Sequence, residues 1–586
     1  MPQSQNVTRP GLKVWGEATA LLREFRRAGW FDLLLLGGLI GLVFGALSLA
    51  GEWRLFRPEV RIDLSPSALP IYAFYSLSRG LIAYALSLLF TLAYGYWAAK
   101  DRLAERVLLP LLDILQSIPV LGFMPGLVLA LVALFPRSNV GLELASIVMI
   151  FSGQAWNMTF SFYHSLRSIP KDQIEAATTY RFDWWQRLKW VELPFSTIGL
   201  VWNSMMSMAG GWFFLMITES FVLGAKDFRL PGIGSYMSVA VAKGDVRAML
   251  WAIFAMILMI VILDQLLWRP VVVWSQKFRV EESAEEQSAS SWFYDWLQRS
   301  RIIEAVAKLA RSIHQRVRGR KTAHERAPSS AIAPERSSSR VVSIVLFTVL
   351  MGGLLFGASR LVTVLRPLHL REFGPILRAC GWTLGRVLLS TAFGTVWALP
   401  AGLAIGLSPR LSRVLQPVVQ VAASFPAPML FPLVIAGLKV IGVSLGWGSI
   451  VLMLLGTQWY ILFNVIAGAM AIPSDLREAA DSYRLDRWLR FKSLYLPAVF
   501  PFLVTGWVTA AGGAWNASIV AEFVTFRGQV LTTDGLGAMI SGAAERADFP
   551  HLAASVMVMA ATVVLFNRIV WRRLYRVAEE RFSLSK

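Results

Sequence analysis

A single cysteine in 586 residues, Cys380, leaves this chain without an intramolecular disulfide and without a multi-cysteine metal site. Its five histidines are scattered, and no nucleophile-base or metal-ligating constellation forms around them in sequence, so neither catalytic residues nor a metal centre are expected. The dipeptide Gly-Lys occurs nowhere, which removes the Gly-x-x-x-x-Gly-Lys-Ser/Thr cradle for nucleotide phosphates. The Ser-Gly-Gln at 152–154 is too short to stand in as a nucleotide-binding signature. Charge is scarce as well: 16% of residues are charged against 55% hydrophobic, and the mean hydropathy of +0.54 excludes an ordinary soluble globule. The net charge of +20 suits nucleic acid in principle. Most of the Lys and Arg, however, sit in short segments beside apolar runs, where positive-inside topology puts them, so no nucleic-acid partner is expected.

What the chain has in abundance is apolar runs long enough to cross a bilayer, for which roughly 20 residues are needed. They fall at about 31–50, 71–99, 107–135, 141–164, 195–222 and 248–274, and again at 341–364, 377–407, 415–440, 447–471, 498–524 and 551–571. A basic amphipathic stretch over 1–30, with Lys13, Arg23, Arg26 and Arg27 among Trp15, Leu21, Leu22 and Phe25, suits the inner leaflet. The run at 31–50 follows too long a polar leader for a signal peptide and is expected to be a retained helix. Residues 276–340 turn polar, with a second surface helix over 292–318 and a flexible linker over 319–340. The organisation is thus 1–30 amphipathic segment, 31–275 first transmembrane domain, 276–340 helix and linker, 341–575 second transmembrane domain and 576–586 basic tail, with both termini expected inside.

The two transmembrane sets are copies. Adding 307 takes Arg79 to Arg386, Pro110 to Pro417, Ser117 to Ser424 and Pro119 to Pro426; beyond the third loop, adding 303 takes Trp156 to Trp459, Glu175 to Glu478, Glu219 to Glu522 and Gly234 to Gly537. An even number of crossings in each copy makes the repeats parallel, related by an axis along the membrane normal.

A polar island recurs between the apolar runs, at 172–194 and 475–497. In each, Asp172 or Asp475 precedes Glu175 or Glu478 by three residues, a spacing that predicts a capping box at a helix start. Two alanines follow. A Tyr-Arg-x-Asp tetrad then breaks the helix, Asp183 or Asp486 caps a second helix rich in Trp, Arg and Lys, and Leu193-Pro194 or Leu496-Pro497 ends it.

These islands resemble the cytoplasmic EAA loop of the permease subunits of binding-protein-dependent ABC importers. Glu175-Ala176-Ala177 with Leu193-Pro194, and Glu478-Ala479-Ala480 with Leu496-Pro497, keep that loop's spacing. Ser117 to Pro119 and Ser424 to Pro426 are similar to the nitrate, sulfonate and taurine branch. Arg181 and Arg484 stand where the family has glycine; arginine tolerates a positive φ poorly, which argues against a left-handed turn there, and its cation suits a partner's acidic groove. The resemblance implies an all-α polytopic membrane protein, two tandem parallel six-helix repeats of the type I importer permease fold about a pseudo-twofold axis. It implies a bacterial inner membrane location, two copies of a cytoplasmic ABC ATPase subunit that bind ATP and Mg, and a periplasmic substrate-binding protein. The cargo it implies is a small anion such as nitrate, a sulfonate, taurine or bicarbonate.

Ionisable residues inside spans are functional candidates by default. Arg79 and Arg386 lie in the second span of each copy and Glu219 and Glu522 late in the fifth, so each Arg is expected to pair with the Glu of its own copy near an outer gate. Ser117, Gln154, Asn157, Ser424, Thr457, Gln458 and Asn464 either face the axis or hydrogen-bond neighbouring helices. Two rival readings remain open on sequence: an ion-coupled secondary transporter with parallel repeats, and a membrane scaffold that transports nothing.

Overall fold

Three long helices form the frame of each copy, and the residues that let them approach are small. In the computed structural model the described residues are 61–278 except 118, 137, 224 and 225, then 291, 293–295, and 338–582 except 527 and 528. The amphipathic segment over 1–30, the span at 31–50, the helix over 292–318 and the linker over 319–337 lie outside them, apart from 293–295. Two compact units are present, one of 53–262 with 342–586 and one of 1–52 with 263–341.

In the first copy, α1 (Leu69–Lys100), α4 (Val140–Arg167) and α7 (Leu193–Thr218) pack side by side, α4 in the middle. The second copy repeats this with α12 (Phe373–Leu407), α15 (Leu445–Met470) and α18 (Leu496–Ala521). Glycines set the spacing: a Cβ at Gly402 would sit 2.6 Å from Val465 Cγ1, so α12 and α15 meet almost backbone to side chain. Around that contact lies a core of Ile461, Leu462, Val465, Ile466 and Leu503.

The expected third span of each copy is not one helix. It divides into α2 (Arg102–Ser117) and α3 (Val120–Leu134), and in the second copy into α13 (Pro409–Ser424), the 3-10 turn Ala427–Met429 and α14 (Phe431–Val440). Pro119 and Pro426 stand at the breaks as N-cap residues in extended conformation, since a proline cannot donate into the helix before it. The pieces then serve as cross-copy packing: α3 lies against α18, while α13 and the Ala427–Met429 turn lie against α7. Each copy thus offers its broken third element to the partner's fifth-span helix, the reciprocity a twofold axis requires. Val120 N–H also donates to Asn516 Oδ1 at 2.8 Å across this boundary.

The polar island contains α5 (Lys171–Thr179) and α6 (Trp184–Arg187), matched by α16 (Ser474–Ser482) and α17 (Arg487–Arg490). Leu-Pro does not end the second helix. A π-helical turn, Leu188–Glu192 or Phe491–Tyr495, carries α6 into α7 and α17 into α18, giving continuous helices of 35 residues over Trp184–Thr218 and Arg487–Ala521. The wider turn takes up the bond that Pro194 or Pro497 cannot make, with Leu193 N–H bonded to Leu188 O and Leu496 N–H to Phe491 O.

After α7 the chain forms the hairpin β1 (Ser220–Leu223) and β2 (Lys226–Arg229) and the short helix α8 (Ile233–Lys243), which packs on α1 and α7. The second copy matches it with β3 (Phe523–Phe526), β4 (Gln529–Thr532) and α19 (Leu536–Glu545). The stretch between the fifth and sixth apolar runs therefore carries a hairpin and a helix, α8, whose residues are mostly buried. The sixth elements follow: α9 (Val246–Leu263) with α10 (Arg269–Ser275), and α20 (Phe549–Phe566) with α21 (Arg572–Phe582), each pair joined by a π-helical turn. Helix α11 (Ser338–Leu365) opens the second copy. Among the described residues seven helices are long and apolar enough to cross a membrane.

Candidate functional site

Helix α7 delivers Glu219 at its end, fully buried, into a ring of donors. Glu219 Oε1 accepts from Arg79 Nη1 at 2.8 Å and Ser76 Oγ at 2.7 Å, and Oε2 accepts from Gly234 N–H at 2.7 Å. Arg79 Nη1 also donates to Pro231 O at 2.7 Å, while Nε and Nη2 grip Glu143 in a two-pronged pair at 2.6 and 2.7 Å. Ser76 Oγ in turn accepts from Ile233 N–H at 3.0 Å, so the carboxylate lies at the free amides of the α8 N-terminus, where negative charge is favoured. A Cβ at Gly232 would fall 2.3 Å from the Glu219 carboxylate, which is why glycine stands there.

The second copy repeats the donors around Glu522, without a counterpart of Glu143 on the arginine. Arg386 Nη1 donates to Glu522 Oε1 at 2.8 Å and to Asp534 O at 2.6 Å, Thr383 replaces Ser76, and Gly537 N–H donates to Oε2 at 2.8 Å. Gly535 has the place of Gly232, its Cβ position 2.2 Å from Glu522 Oε2. Arg79 is thereby brought to Glu219, and Arg386 to Glu522, each within its own copy. Each cluster ties α1 or α12, the fifth-span helix and the short helix into one block.

The loops lie at the opposite end of the same 35-residue helices, roughly 50 Å away at 1.5 Å per residue. Their first helices start after Pro170 and Pro473, which are the N-caps; Asp172 and Asp475 sit inside the first turn and form no capping box, because an extended proline already directs the chain into the helix. Asp183 does form one with Gln186, in both directions at 2.7 and 3.0 Å, and Asp486 accepts from Trp488 N–H. Arg181 and Arg484 adopt φ of 52° and 50°, so the turn is left-handed despite the missing glycine. Two bonds hold each in place: Phe182 N–H to Ala177 O and Arg181 N–H to Thr178 O, matched by Leu485 to Ala480 and Arg484 to Asp481. That is a Schellman ending, and its hydrogen bonds offset the strain of the arginine. Ala177 and Ala480 are buried, while Glu175, Ala176, Glu478 and Ala479 are exposed. Neither glutamate has a partner among the described residues. Tyr180, Trp184, Trp185, Trp190, Tyr483 and Trp488 stand exposed around them.

The defining profile of the binding-protein-dependent transport system inner membrane component family matches residues 91–267 and again 394–583. The chain belongs to this family. Its two matches coincide with the two copies. Among similar proteins are the nitrate import permease protein of Leptolyngbya laminosa, 29% identical over 148 residues, and the taurine transport system permease protein of Escherichia coli K12, 27% identical over 196. The bicarbonate transport system permease protein of Synechocystis is 26% identical over 187 residues. These alignments cover 25%, 33% and 32% of this chain and 52%, 67% and 63% of the relatives, so the chain spans about half to two thirds of their length.

Within this member of the family, the polar residues of the spans divide. Gln154 is fully buried between α1, α4 and α7, beside Ser87 and Met208, and packs within its own copy. Thr457, Asn464 and Ser424 bond to carbonyls of their own helices, at Met453, Tyr460 and Gln420. Asn157 is exposed and Gln458 half-buried. The Ser117 side chain lies outside what is described. Trp212 packs against Gly80.

Several site residues escape the sequence reading. Glu143, the second acid on Arg79, sits near the start of an apolar run; a search for every acid inside a span finds it. Gly232-x-Gly234 and Gly535-x-Gly537 recur at matched spacing, and Glu192 is a buried acid within the loop that accepts from Lys100 and forms an ion pair with Arg187 Nε at 3.0 Å.

Proposed function

We propose that the chain is the permease of an ABC importer, with both halves fused head to tail, passing a small anion along the boundary between the copies. Separate ATPase subunits, two per chain, hydrolyse ATP with Mg beneath the loops, and a periplasmic binding protein supplies the cargo. Support for the anion comes from relatives named for nitrate import and for taurine and bicarbonate transport.

The observation that carries the reading is the loop geometry. In both copies an exposed Glu-Ala face sits on a helix fixed at each end, by Pro170 or Pro473 and by a Schellman turn, and exposed aromatics follow it, Tyr180, Trp184 and Trp185 in the first copy and Tyr483 and Trp488 in the second. Such a surface is finished for a partner, and the loop leads without interruption into the helix that ends at Glu219 or Glu522. A displacement of α5 relative to α4 is delivered along that rod to the block holding the far end of the pathway. The polar Glu175 and Glu478 contact the ATPase, Ala176 and Ala479 permit close approach, and Arg181 and Arg484 face its acids. The ion-pair clusters brace the outer gate.

Replacing Glu175 and Glu478 together by Gln is expected to abolish ATP-dependent uptake in proteoliposomes containing the cognate ATPase and binding protein, while the purified chain keeps its melting temperature. Uptake at the wild-type rate, or uphill transport on an ion gradient without nucleotide, overturns the proposal.

A further inference from the structure

A cavity of about 540 Å³ opens in the first copy where α2 begins and α4 ends, walled by Arg102, Glu105, Arg106, Leu109 and Arg167. Glu105 is already engaged, accepting from Tyr163 OH at 2.5 Å and facing Arg167 Nη2 at 3.8 Å. Arg102 and Arg106 have no carboxylate partner among the described residues and are exposed. Among the described residues the pocket therefore carries an excess of two positive charges that no carboxylate pairs with.

Its level is fixed by its neighbours. Arg167 is the last residue of α4, just before the coupling loop, and α2 starts directly after Lys100 ends α1. The cavity sits at the ends of membrane spans, where headgroups lie.

The second copy does not repeat these side chains. The five positions become Pro409, Ser412, Arg413, Gln416 and Met470, and Gln416 Nε2 contacts Met470 Sδ at 3.4 Å across the place the cavity would occupy. Since the frame around it is otherwise duplicated, the basic pocket is a feature of the first copy's side chains and not of the fold.

We propose that this cavity binds the phosphate headgroup of an anionic phospholipid, one per chain. Guanidinium forks match phosphate oxygens, the concave shape admits a headgroup better than a protein surface, and Leu109 offers an apolar wall to the glycerol and first acyl carbons. The inference rests on the membrane-spanning character of the chain and is independent of what it transports.

Native mass spectrometry of the full-length chain, titrated with dioleoylphosphatidylglycerol or dioleoylphosphatidylcholine, tests it. One phosphatidylglycerol is expected to bind preferentially and to resist excess inorganic phosphate. Changing Arg102, Arg106 and Arg167 together to Gln should weaken that binding on the order of a hundredfold, at about 1 kcal/mol for each cation. The triple Lys variant should retain most of it, and Arg413→Gln in the second copy should leave it unchanged. Should the triple Gln chain not fold, Arg106→Gln alone should still lower affinity several-fold. Equal binding of both lipids, undiminished binding in the Gln variants, displacement by inorganic phosphate, or loss of a bound ATPase with lipid retained would each overturn the assignment.

Discussion

The two copies share a skeleton and differ in how charges tie it together. At the far end of the fifth-span helices, Arg79 holds two carboxylates, Glu143 and Glu219, whereas Arg386 holds one. Glu143 is replaced by Gly446 in the second copy, and Arg386 Nε donates to the Gly446 carbonyl at 3.2 Å, with Nη2 on Thr533 Oγ1 at 3.1 Å. At the loop end, buried Glu192 ties the first copy's loop to Lys100 at the end of α1 and to Arg187. Its counterpart is Tyr495, Lys100 becomes Leu407, and Arg490 pairs back to Asp481 within the loop. The first copy thus adds ion pairs between elements at both ends, whereas the second keeps Arg386–Glu522 and has backbone carbonyls and local contacts in place of the others. A fused permease has this freedom because each half answers to its own selection, which identical subunits cannot do.

The widest separation between the copies is expected from their central arginines. Arg386→Ala leaves Glu522 buried without its cation, a loss of about 3 to 5 kcal/mol for a broken buried pair. Arg79→Ala leaves two such acids together and should cost more, with a lower melting midpoint than Arg386→Ala. Gly446→Glu sharpens the contrast: a Cβ there meets Thr533 Oγ1 at 3.3 Å, Arg386 Nη2 at 3.7 Å and Ser444 Oγ at 3.8 Å, so the added acid can reach the guanidinium. Introduced first, it should enlarge the penalty of Arg386→Ala toward the Arg79→Ala value, read as melting midpoints in a double-mutant cycle. Equal penalties for the two arginines would remove the asymmetry.

Much of this was legible in sequence because it depends on spacing. A constant offset between copies, apolar run length, and a Glu-Ala-Ala to Leu-Pro interval survive without knowledge of packing. So did the helix-capping role of Asp183 and Asp486, since a cap is a local bond. What depends on three-dimensional proximity did not survive. Glu143 is far from Arg79 in sequence, and nothing nearby marks it as the second member of a pair. Pro194 and Pro497 read as helix ends because a π-helical turn, which absorbs a proline, leaves no residue signature. The left-handed Arg181 and Arg484 run against propensity, as the Schellman bonds decide the matter and a substitution rule cannot see them.

A smaller contrast is expected at the loops. Glu192→Gln removes the charge that Lys100 and Arg187 share, so amide exchange over 171–192 and over the end of α1 should accelerate by about tenfold, equivalent to 1.4 kcal/mol. Arg490→Gln loosens only contacts inside the loop, so exchange should rise over 474–495 and not at the end of α12. If both substitutions spread into the preceding span, the loops are tied alike and the proposed difference in bracing fails.

The smallest effect tests what the copies have in common. Arg181 and Arg484 occupy the left-handed region where a Cβ is disfavoured, so Arg181→Gly and Arg484→Gly should each raise stability by at most about 1 kcal/mol, with the same sign in both. A β-branched replacement such as Arg181→Val should lower it, since branching tightens the clash at positive φ. The strain is present in both copies where glycine would relieve it, and under the proposed coupling role the guanidinium serves a contact outside the chain. The glycine variants should accordingly be more stable and bind the ATPase less well, a split that thermal melting and co-purification measure separately. Greater stability with undiminished binding in both would mean the arginine contributes nothing to coupling, and the cation would have to be explained by the headgroup layer beside it.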